Sequence, residues 1–137
     1  MSKTVFIVED DPIQQKMLEH HFENMVGSFV VKTFSRPEEI MMHIHERPFA
    51  IVLDHYFGHA NEKTGLDYLK LIKRKSSIPV IYYTASEDTE LKEQALKMGA
   101  AQYICKDEAS FVRLRTALDQ LANRKGKGFF KRLFSSE

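Results

Sequence analysis

Five short apolar runs alternate along this chain with longer amphipathic stretches, and this alternation restricts the possible folds more than any other feature. Most residues in the runs are β-branched or aromatic, and the runs are continuous, as in strands covered on both faces. They occupy residues 5–8, 29–31, 50–53, 79–83 and 102–105. The pattern predicts an α/β fold of βαβ units with right-handed crossovers, in which helices cover both faces of one parallel five-stranded sheet.

The stretches between the runs show the apolar spacing of amphipathic helices. The second begins with a predicted capping box at Ser35 and Glu38, with Pro37 in the first turn. The fourth is expected to end at Gly99, a residue that readily adopts the left-handed conformation. The fifth is expected to begin at Asp107 or Ser110. Five helices therefore separate or follow the five strands.

Composition excludes several classes of protein. The chain has 137 residues, of which 43% are hydrophobic, and this length can bury the core of a single domain. One cysteine excludes a disulfide scaffold and a multi-cysteine zinc site. The apolar runs are far shorter than the roughly 20 residues of a membrane span, and the first residues do not resemble a signal peptide. We therefore expect a soluble cytoplasmic protein.

Charge is unevenly distributed. The net charge of +1 predicts no general attraction to nucleic acid. Residues 1–122, however, carry 15 basic and 18 acidic side chains, whereas residues 123–137 carry five basic and one acidic. The expected organisation is a domain over 1–122 and a flexible basic and aromatic tail over 123–137. The tail is either a simple terminus or a docking peptide for a partner groove or an anionic membrane surface.

Polar residues follow four of the predicted strands. They are Glu9, Asp10 and Asp11 after the first, Asp54 after the third, Thr84 after the fourth and Lys106 after the fifth. Ligands of open α/β sheets bind outside the carboxyl ends of the strands. Clustered carboxylates repel one another and need a cation, and Mg²⁺ suits oxygen ligands of this kind. A carboxylate can also act as a nucleophile and form an acyl phosphate, stabilised by an ammonium and a hydroxyl.

These motifs together resemble the receiver (CheY-like) domains of two-component response regulators. The resemblance rests on residues 5–12, 51–54, 79–85 and 99–106, which occur in the expected order, and it covers about residues 3–122. It implies a flavodoxin-like (βα)5 three-layer sandwich with sheet order 2-1-3-4-5. It also implies a switch that accepts a phosphoryl group, rather than a metabolic enzyme; such a domain catalyses its own phosphorylation and a slow autodephosphorylation.

The resemblance assigns roles to individual residues. Asp54 would accept the phosphoryl group from a sensor histidine kinase or a histidine phosphotransfer protein. Thr84 and Lys106 would contact the phosphoryl oxygens, and Tyr103 would be the aromatic residue that rotates when Thr84 moves. Mg²⁺ would be held by Glu9, Asp10, Asp54 and the backbone carbonyl of Tyr56, with Asp11 as a further acidic residue. Tyr56 and Ser86 occupy positions expected to control the lifetime of the acyl phosphate.

The sequence departs from the family pattern at two places. Asp107 stands where the family usually has a proline after a cis peptide bond, and a non-proline cis bond costs about 2.5–4 kcal/mol. The sequence therefore leaves open whether the Lys106–Asp107 bond is cis. The likely equivalent of a family glycine is Gly65, eleven residues after Asp54, so segment 55–64 is about three residues longer than usual. A lid or a partner contact is the expectation for that segment.

The expected output is a protein contact or onward phosphoryl transfer. The family's usual contact face comprises the fourth helix, fifth strand and fifth helix, here residues 88–98, 102–105 and 109–122, and it could also form a phosphorylation-dependent dimer. Too few residues follow the fifth helix for a DNA-binding module, so no direct DNA binding is expected. Three alternatives stay open at this point: a degenerate receiver that binds constitutively, an Mg²⁺-dependent aspartyl-phosphate phosphatase, and a flavin carrier.

Overall fold

The computed structural model describes residues 3–23, 29–58 and 62–134, with the backbone alone for 125–134. Strands and helices alternate along the chain. The strands are β1 (Lys3–Val8), β2 (Phe29–Phe34), β3 (Ala50–Leu53), β4 (Val80–Thr84) and β5 (Gln102–Cys105). The helices are α1 (Pro12–Glu23), α2 (Glu38–His43), α3 (Gly65–Lys75), α4 (Thr89–Lys97) and α5 (Ser110–Phe134), and a single 3-10 turn, Ile44–Glu46, follows α2.

The five strands form one sheet in the order β2-β1-β3-β4-β5, and every neighbouring pair is parallel. The predicted flavodoxin-like architecture is therefore confirmed. All residues of β3 and β4 are buried, as expected for central strands covered on both faces.

Two apolar clusters lie on opposite faces of the sheet because successive strand residues point in opposite directions. Val5 and Ile7 pack on the side of α1 and α5, whereas Phe6 packs on the side of α2, α3 and α4. In β4 the neighbours Tyr82 and Tyr83 divide in the same way. Each fully buried large side chain contributes about 1.5–3 kcal/mol relative to an exposed one, so both layers stabilise the sheet.

Local signals at helix ends had mixed outcomes. Gly99 follows α4 with a φ of +106°, as predicted. The capping box predicted at Ser35 is wrong, because α2 begins at Glu38 with Pro37 as its N-cap and no side-chain cap hydrogen bond. The Ser35 hydroxyl instead accepts a hydrogen bond of 3.4 Å from Gln15.

A capping box that the sequence reasoning missed opens α3. The Thr64 side chain accepts a hydrogen bond from the backbone N–H of Asp67, the N3 residue. In return, the Asp67 carboxylate accepts one from the Thr64 backbone N–H at 2.8 Å. The signal was present as a threonine followed three residues later by a carboxylate. This cap fixes the start of α3 beside the end of β3.

The fifth helix is longer than predicted. Its backbone is helical from Ser110 to Phe134, so the segment expected to be a flexible tail continues α5 up to residue 134. Residues 135–137 lie outside the described residues. None of the helices in the described ranges is both long enough and apolar enough to cross a bilayer.

Candidate functional site

The carboxyl ends of β1, β3, β4 and β5 bring the predicted polar residues to one edge of the sheet. Glu9 follows β1 and Asp54 follows β3, while Thr84 is the last residue of β4 and Lys106 follows β5. Parallel pairing of β4 and β5 places Thr84 opposite Cys105, and the Lys106 backbone N–H donates to the Thr84 carbonyl at 2.8 Å. Strand register therefore holds the hydroxyl-bearing and ammonium-bearing residues side by side.

Asp54 is held by contacts at both carboxylate oxygens. The Lys106 ammonium lies 2.7 Å from Oδ2, and the His55 backbone N–H donates to Oδ1 at 2.6 Å. The two side chains are 23% and 35% exposed, for Asp54 and Lys106 respectively, so the acceptor is partly accessible to solvent. The Lys106 ammonium also lies 5.2 Å from the Tyr83 ring centroid, which helps to keep the lysine directed towards Asp54.

A small cavity of about 80 Å³ lies beside Asp54. It is lined by Glu9, Asp10, Asp54 and Tyr56, among other residues. Burial raises the pKa of Glu9, as expected for a carboxyl group removed from water near other acids. A cation in this cavity would relieve the crowding of negative charge.

The chemistry of this donor set fits Mg²⁺. In the described ranges no three His, Cys, Asp or Glu side chains are already arranged around a metal position. Magnesium, however, keeps several waters and takes only one or two carboxylates directly, so a cavity lined by three carboxylates is sufficient. Glu9, Asp10, Asp54 and Tyr56 therefore share one space that suits the ion.

Asp11 does not line this cavity. Its carboxylate accepts a hydrogen bond from the Ile13 backbone N–H at 2.9 Å, and its carbonyl accepts one from the Gln15 N–H. These contacts place Asp11 at the start of α1, where it satisfies a free backbone donor of the first turn. The acidic run thus divides into two residues at the cavity and one at the helix start.

A second cavity, of about 290 Å³, lies on the α1 and α5 side of the acceptor. Asp54, Lys106 and Glu9 line it together with Tyr83 and Ser110, whose hydroxyls are 2.6 Å apart. A group bound at Asp54 therefore has open space on this side of the carboxylate.

The Tyr103 side chain is partly buried on the face of the sheet covered by α2, α3 and α4. Its hydroxyl donates to the Ser86 carbonyl at 2.7 Å, and its ring stacks on Tyr82 with centroids 5.7 Å apart. Burial raises the pKa of the Tyr103 phenol. Ser86 is absent from the linings of both cavities, and its hydroxyl accepts from the Asp88 N–H at 3.2 Å. Ser86 thus contacts the predicted switch residue through its carbonyl.

The sequence reasoning missed a contact between His55 and Tyr82. Their Nδ1 and hydroxyl oxygen are 2.6 Å apart, and Tyr82 is fully buried. Burial lowers the pKa of His55 and raises that of Tyr82, which disfavours the charged form of both groups. The residue after the acceptor is thereby joined to the ring on which Tyr103 stacks. No short-range pattern could reveal this pair, because the two residues are 27 positions apart.

The structure describes residues 55–58 and 62–64 of the segment that is predicted to be longer than usual. Gly65, the expected family glycine, begins α3 and donates its N–H to the His55 carbonyl at 2.9 Å. Tyr56 is 71% exposed and contacts the His55 ring. Residues 59–61 lie outside the described residues, so the lid expectation is untested there. The described residues contain no cis peptide bond, so the bond from Lys106 to Asp107 is trans.

Comparison with known proteins places this geometry in a family. The sequence model of the family described as response regulator receiver domain matches residues 5–119 of this chain. The chain is 33% identical over 125 residues to the probable C4-dicarboxylate response regulator DctR of Bacillus subtilis, covering 90% of this chain and 54% of that protein. It is also 31% identical over 118 residues to the protein of the same description from Halalkalibacterium halodurans, covering 85% and 50% respectively. The chain thus spans about half the length of these relatives.

Solved structures agree on the fold. The receiver domain of the Francisella response regulator 1452 superposes with a TM-score of 0.78 at 24% identity, covering 90% of this chain and 99% of that one. The receiver domain of a putative LuxO repressor protein from Vibrio parahaemolyticus also gives 0.78, at 18% identity, and each chain is covered completely. The site at the sheet edge, the matched sequence and the shared fold lead to one conclusion. This chain belongs to the response regulator receiver domain family of two-component signalling.

Proposed function

We propose that this chain is a phosphorylation-dependent switch that accepts a phosphoryl group on Asp54. The observation that carries the proposal is the position of the Asp54 carboxylate, between the Lys106 ammonium at 2.7 Å and a cavity lined by Glu9 and Asp10. A phosphoryl group bound there would meet a cation on one side and a magnesium-binding space on the other.

The proposed step is transfer from a phosphohistidine of a sensor kinase or a phosphotransfer protein. A carboxylate oxygen of Asp54 attacks phosphorus while the bond between phosphorus and the imidazole nitrogen breaks. The products are an acyl phosphate on Asp54 and a free histidine in the donor. Lys106 releases its contact with the carboxylate to bind a phosphoryl oxygen, and the Thr84 hydroxyl donates to another. Glu9, Asp10, Asp54 and the Tyr56 carbonyl would hold Mg²⁺, and the bound ion would neutralise charge on the phosphoryl oxygens.

The proposed output is a change on the face formed by α4, β5 and α5. If Thr84 moves towards the phosphoryl group, Tyr103 loses its present surroundings and its hydrogen bond to Ser86 rearranges. A groove of about 600 Å³ lies on this face, lined by Tyr103, Lys92, Arg113 and Gln120 among others. A downstream protein, or a second copy of the chain, would read the phosphorylated state there. Such a switch acts in the cytoplasm, where its kinase presents the phosphohistidine.

Catalytic turnover is not part of this proposal. An aspartyl-phosphate phosphatase needs an acid–base aspartate two residues after its nucleophile, and Tyr56 occupies that position. Loss of phosphate should therefore be slow. A degenerate receiver that binds constitutively is disfavoured, because Asp54, Lys106 and Thr84 retain the residue types that phosphorylation needs.

Magnesium dependence tests the proposal. Incubation with Mg²⁺ and a small phosphoryl donor should add one phosphoryl group, detected by intact mass or by a Phos-tag shift. Excess chelator should abolish the modification, since the single Lys106 ammonium would not offset the charges of Glu9, Asp10 and Asp54 around the incoming phosphoryl group. Restoring Mg²⁺ should restore it. Equal modification in chelator would remove the metal from the proposal, and no modification with any donor would favour the degenerate receiver.

Tyr56 is expected to shield the acyl phosphate partly from water. It lines the cavity beside Asp54, but its side chain is 71% exposed, so the effect should be a few-fold rather than orders of magnitude. Tyr56→Ala should therefore shorten the lifetime of the acyl phosphate after the donor is removed. Tyr56→Phe is the matched control, because it keeps the ring, and its lifetime should equal that of the wild type. An unchanged rate in Tyr56→Ala would contradict the shielding.

A further inference from the structure

We propose that the last turns of α5, residues 123–134, form an amphipathic helix that docks on an anionic lipid surface. Among the residues of α5 whose side chains the structure describes, Leu121 is the last buried one, at 8% exposed, whereas Asn123 and Arg124 are exposed. The receiver match ends still earlier, at residue 119. The helical backbone nevertheless continues to Phe134, which adds about 18 Å of helix at about 1.5 Å per residue.

Helical spacing separates the residues of this segment into two faces. At about 100° per residue, Phe129, Phe130, Leu133 and Phe134 fall within one arc of about 140°. The remaining arc contains all five basic residues of the segment, Arg124, Lys125, Lys127, Lys131 and Arg132. As a flexible peptide the same residues would have no common face. Because the backbone is helical up to Phe134, the apolar and basic residues of the segment occupy separate faces.

Charge indicates which partner fits these faces. Segment 123–134 contains no acidic residue, whereas residues 1–122 carry three more acidic than basic side chains. An anionic surface would attract the helix and repel the body of the domain. The helix would then be the part of the chain that touches the surface.

A lipid surface uses both faces of this helix at once. The basic face would lie among anionic headgroups, and the apolar face would enter the boundary with the acyl chains. Nucleic acid would engage the basic residues and leave three phenylalanines in water. The segment is too short to span the roughly 30 Å hydrocarbon core, so it would lie in the plane of the surface. Each basic residue near an anionic leaflet multiplies binding by about fivefold, enough for five of them to support reversible binding.

Vesicle sedimentation with the full chain tests this proposal. Vesicles of phosphatidylcholine with one-quarter phosphatidylglycerol should carry the protein into the pellet, and vesicles of phosphatidylcholine alone should not. Raising the salt concentration should weaken the binding, because screening acts on the basic face. No Asp54 chemistry enters this measurement, so its outcome is independent of the proposed phosphorylation.

Variants separate the two faces. The double variant Phe130→Ser with Leu133→Ser should lose about tenfold or more of the binding, since two buried apolar side chains are removed. Lys127→Glu with Lys131→Glu should lose at least as much on anionic vesicles. Val112→Ser is the matched control, because Val112 is an apolar residue of α5 with 64% of its surface accessible, and it lies before residue 123, in the part of the helix that contains the buried residues. It should bind like the wild type.

Unchanged thermal unfolding would show that each of these variants still folds. Equal binding of the Phe130→Ser and Leu133→Ser variant would overturn the lipid proposal. So would absence of the wild type from the anionic pellet, and in that case an acidic groove on a protein would be the better partner.

Discussion

Replacing Asp54 by asparagine is expected to abolish acyl phosphate formation while leaving the fold intact. The amide has nearly the shape of the carboxylate but is far less nucleophilic, so no bond to phosphorus can form. Lys106 would lose its partner at 2.7 Å, yet its side chain is 35% exposed and can be solvated. The cost in stability should therefore be within about 1 kcal/mol. Intact mass after incubation with Mg²⁺ and a small donor should show the wild type gaining one phosphoryl group and the variant none.

Asp119→Asn is the matched control for this experiment. Asp119 lies on α5 and its side chain is 50% exposed. Its carboxylate is 3.8 Å from the Arg115 guanidinium, which is a long and weak ion pair, so its loss should change neither phosphorylation nor folding. A phosphoryl group that persists in Asp54→Asn would move the acceptor to another residue. Equal loss in both variants would mean that the assay reports general damage instead of acceptor chemistry.

The sheet could be predicted because its signal is local and repeated. The apolar runs at 50–53 and 102–105 coincide with β3 and β5, and the other strands differ from their runs by a few residues at the ends. Burial on both faces leaves no polar alternation to confuse the pattern. The strand order, by contrast, came from family resemblance, since apolar runs do not specify which neighbours pair.

Helix ends were harder to predict. Ser35 and Glu38 have the residue types of a capping box, but the helix begins at Glu38 with Pro37 as its N-cap, and Ser35 accepts a hydrogen bond from Gln15 instead. The tail from residue 123 was expected to be flexible, yet α5 continues through it to Phe134. In each case the pattern identifies residues that permit an ending, and the surrounding structure decides whether it is used.

The site divides in the same way. Glu9, Asp54 and Lys106 could be predicted because each directly follows a strand, and parallel strands end at one edge. The contact between His55 and Tyr82 could not, because it depends on the pairing of Leu53 with Tyr82 in the sheet and on the turn that the chain makes directly after β3. The same geometry explains why α3 begins with a glycine close to the acceptor.

Gly65→Ala is expected to lower the free energy of unfolding by about 3 kcal/mol, at the upper end of the usual cost of overpacking. A Cβ at position 65 would overlap the backbone carbonyl oxygen of Asp54 and the hydroxyl of Tyr82. Neither neighbour can move easily, because Asp54 follows the central strand β3 and Tyr82 is fully buried in β4. The start of α3 would have to shift away from the acceptor, so acyl phosphate formation should slow as well. Urea unfolding and the rate of phosphorylation measure the two effects.

Gly99→Ala separates this close approach from the general cost of replacing glycine. Gly99 has a φ of +106° at the end of α4, and the nearest atoms to a Cβ there belong to the Lys73 side chain, at an ordinary contact distance of 3.5 Å. Its replacement should cost about 1–2 kcal/mol from the unfavourable backbone conformation and leave phosphorylation unchanged. Gly65 needs no such conformation, so a larger loss at position 65 would have to come from the space between β3, β4 and α3. If Gly65→Ala proved as stable as Gly99→Ala and was phosphorylated at the wild-type rate, the claim that close packing of α3 against the acceptor requires glycine at position 65 would be wrong.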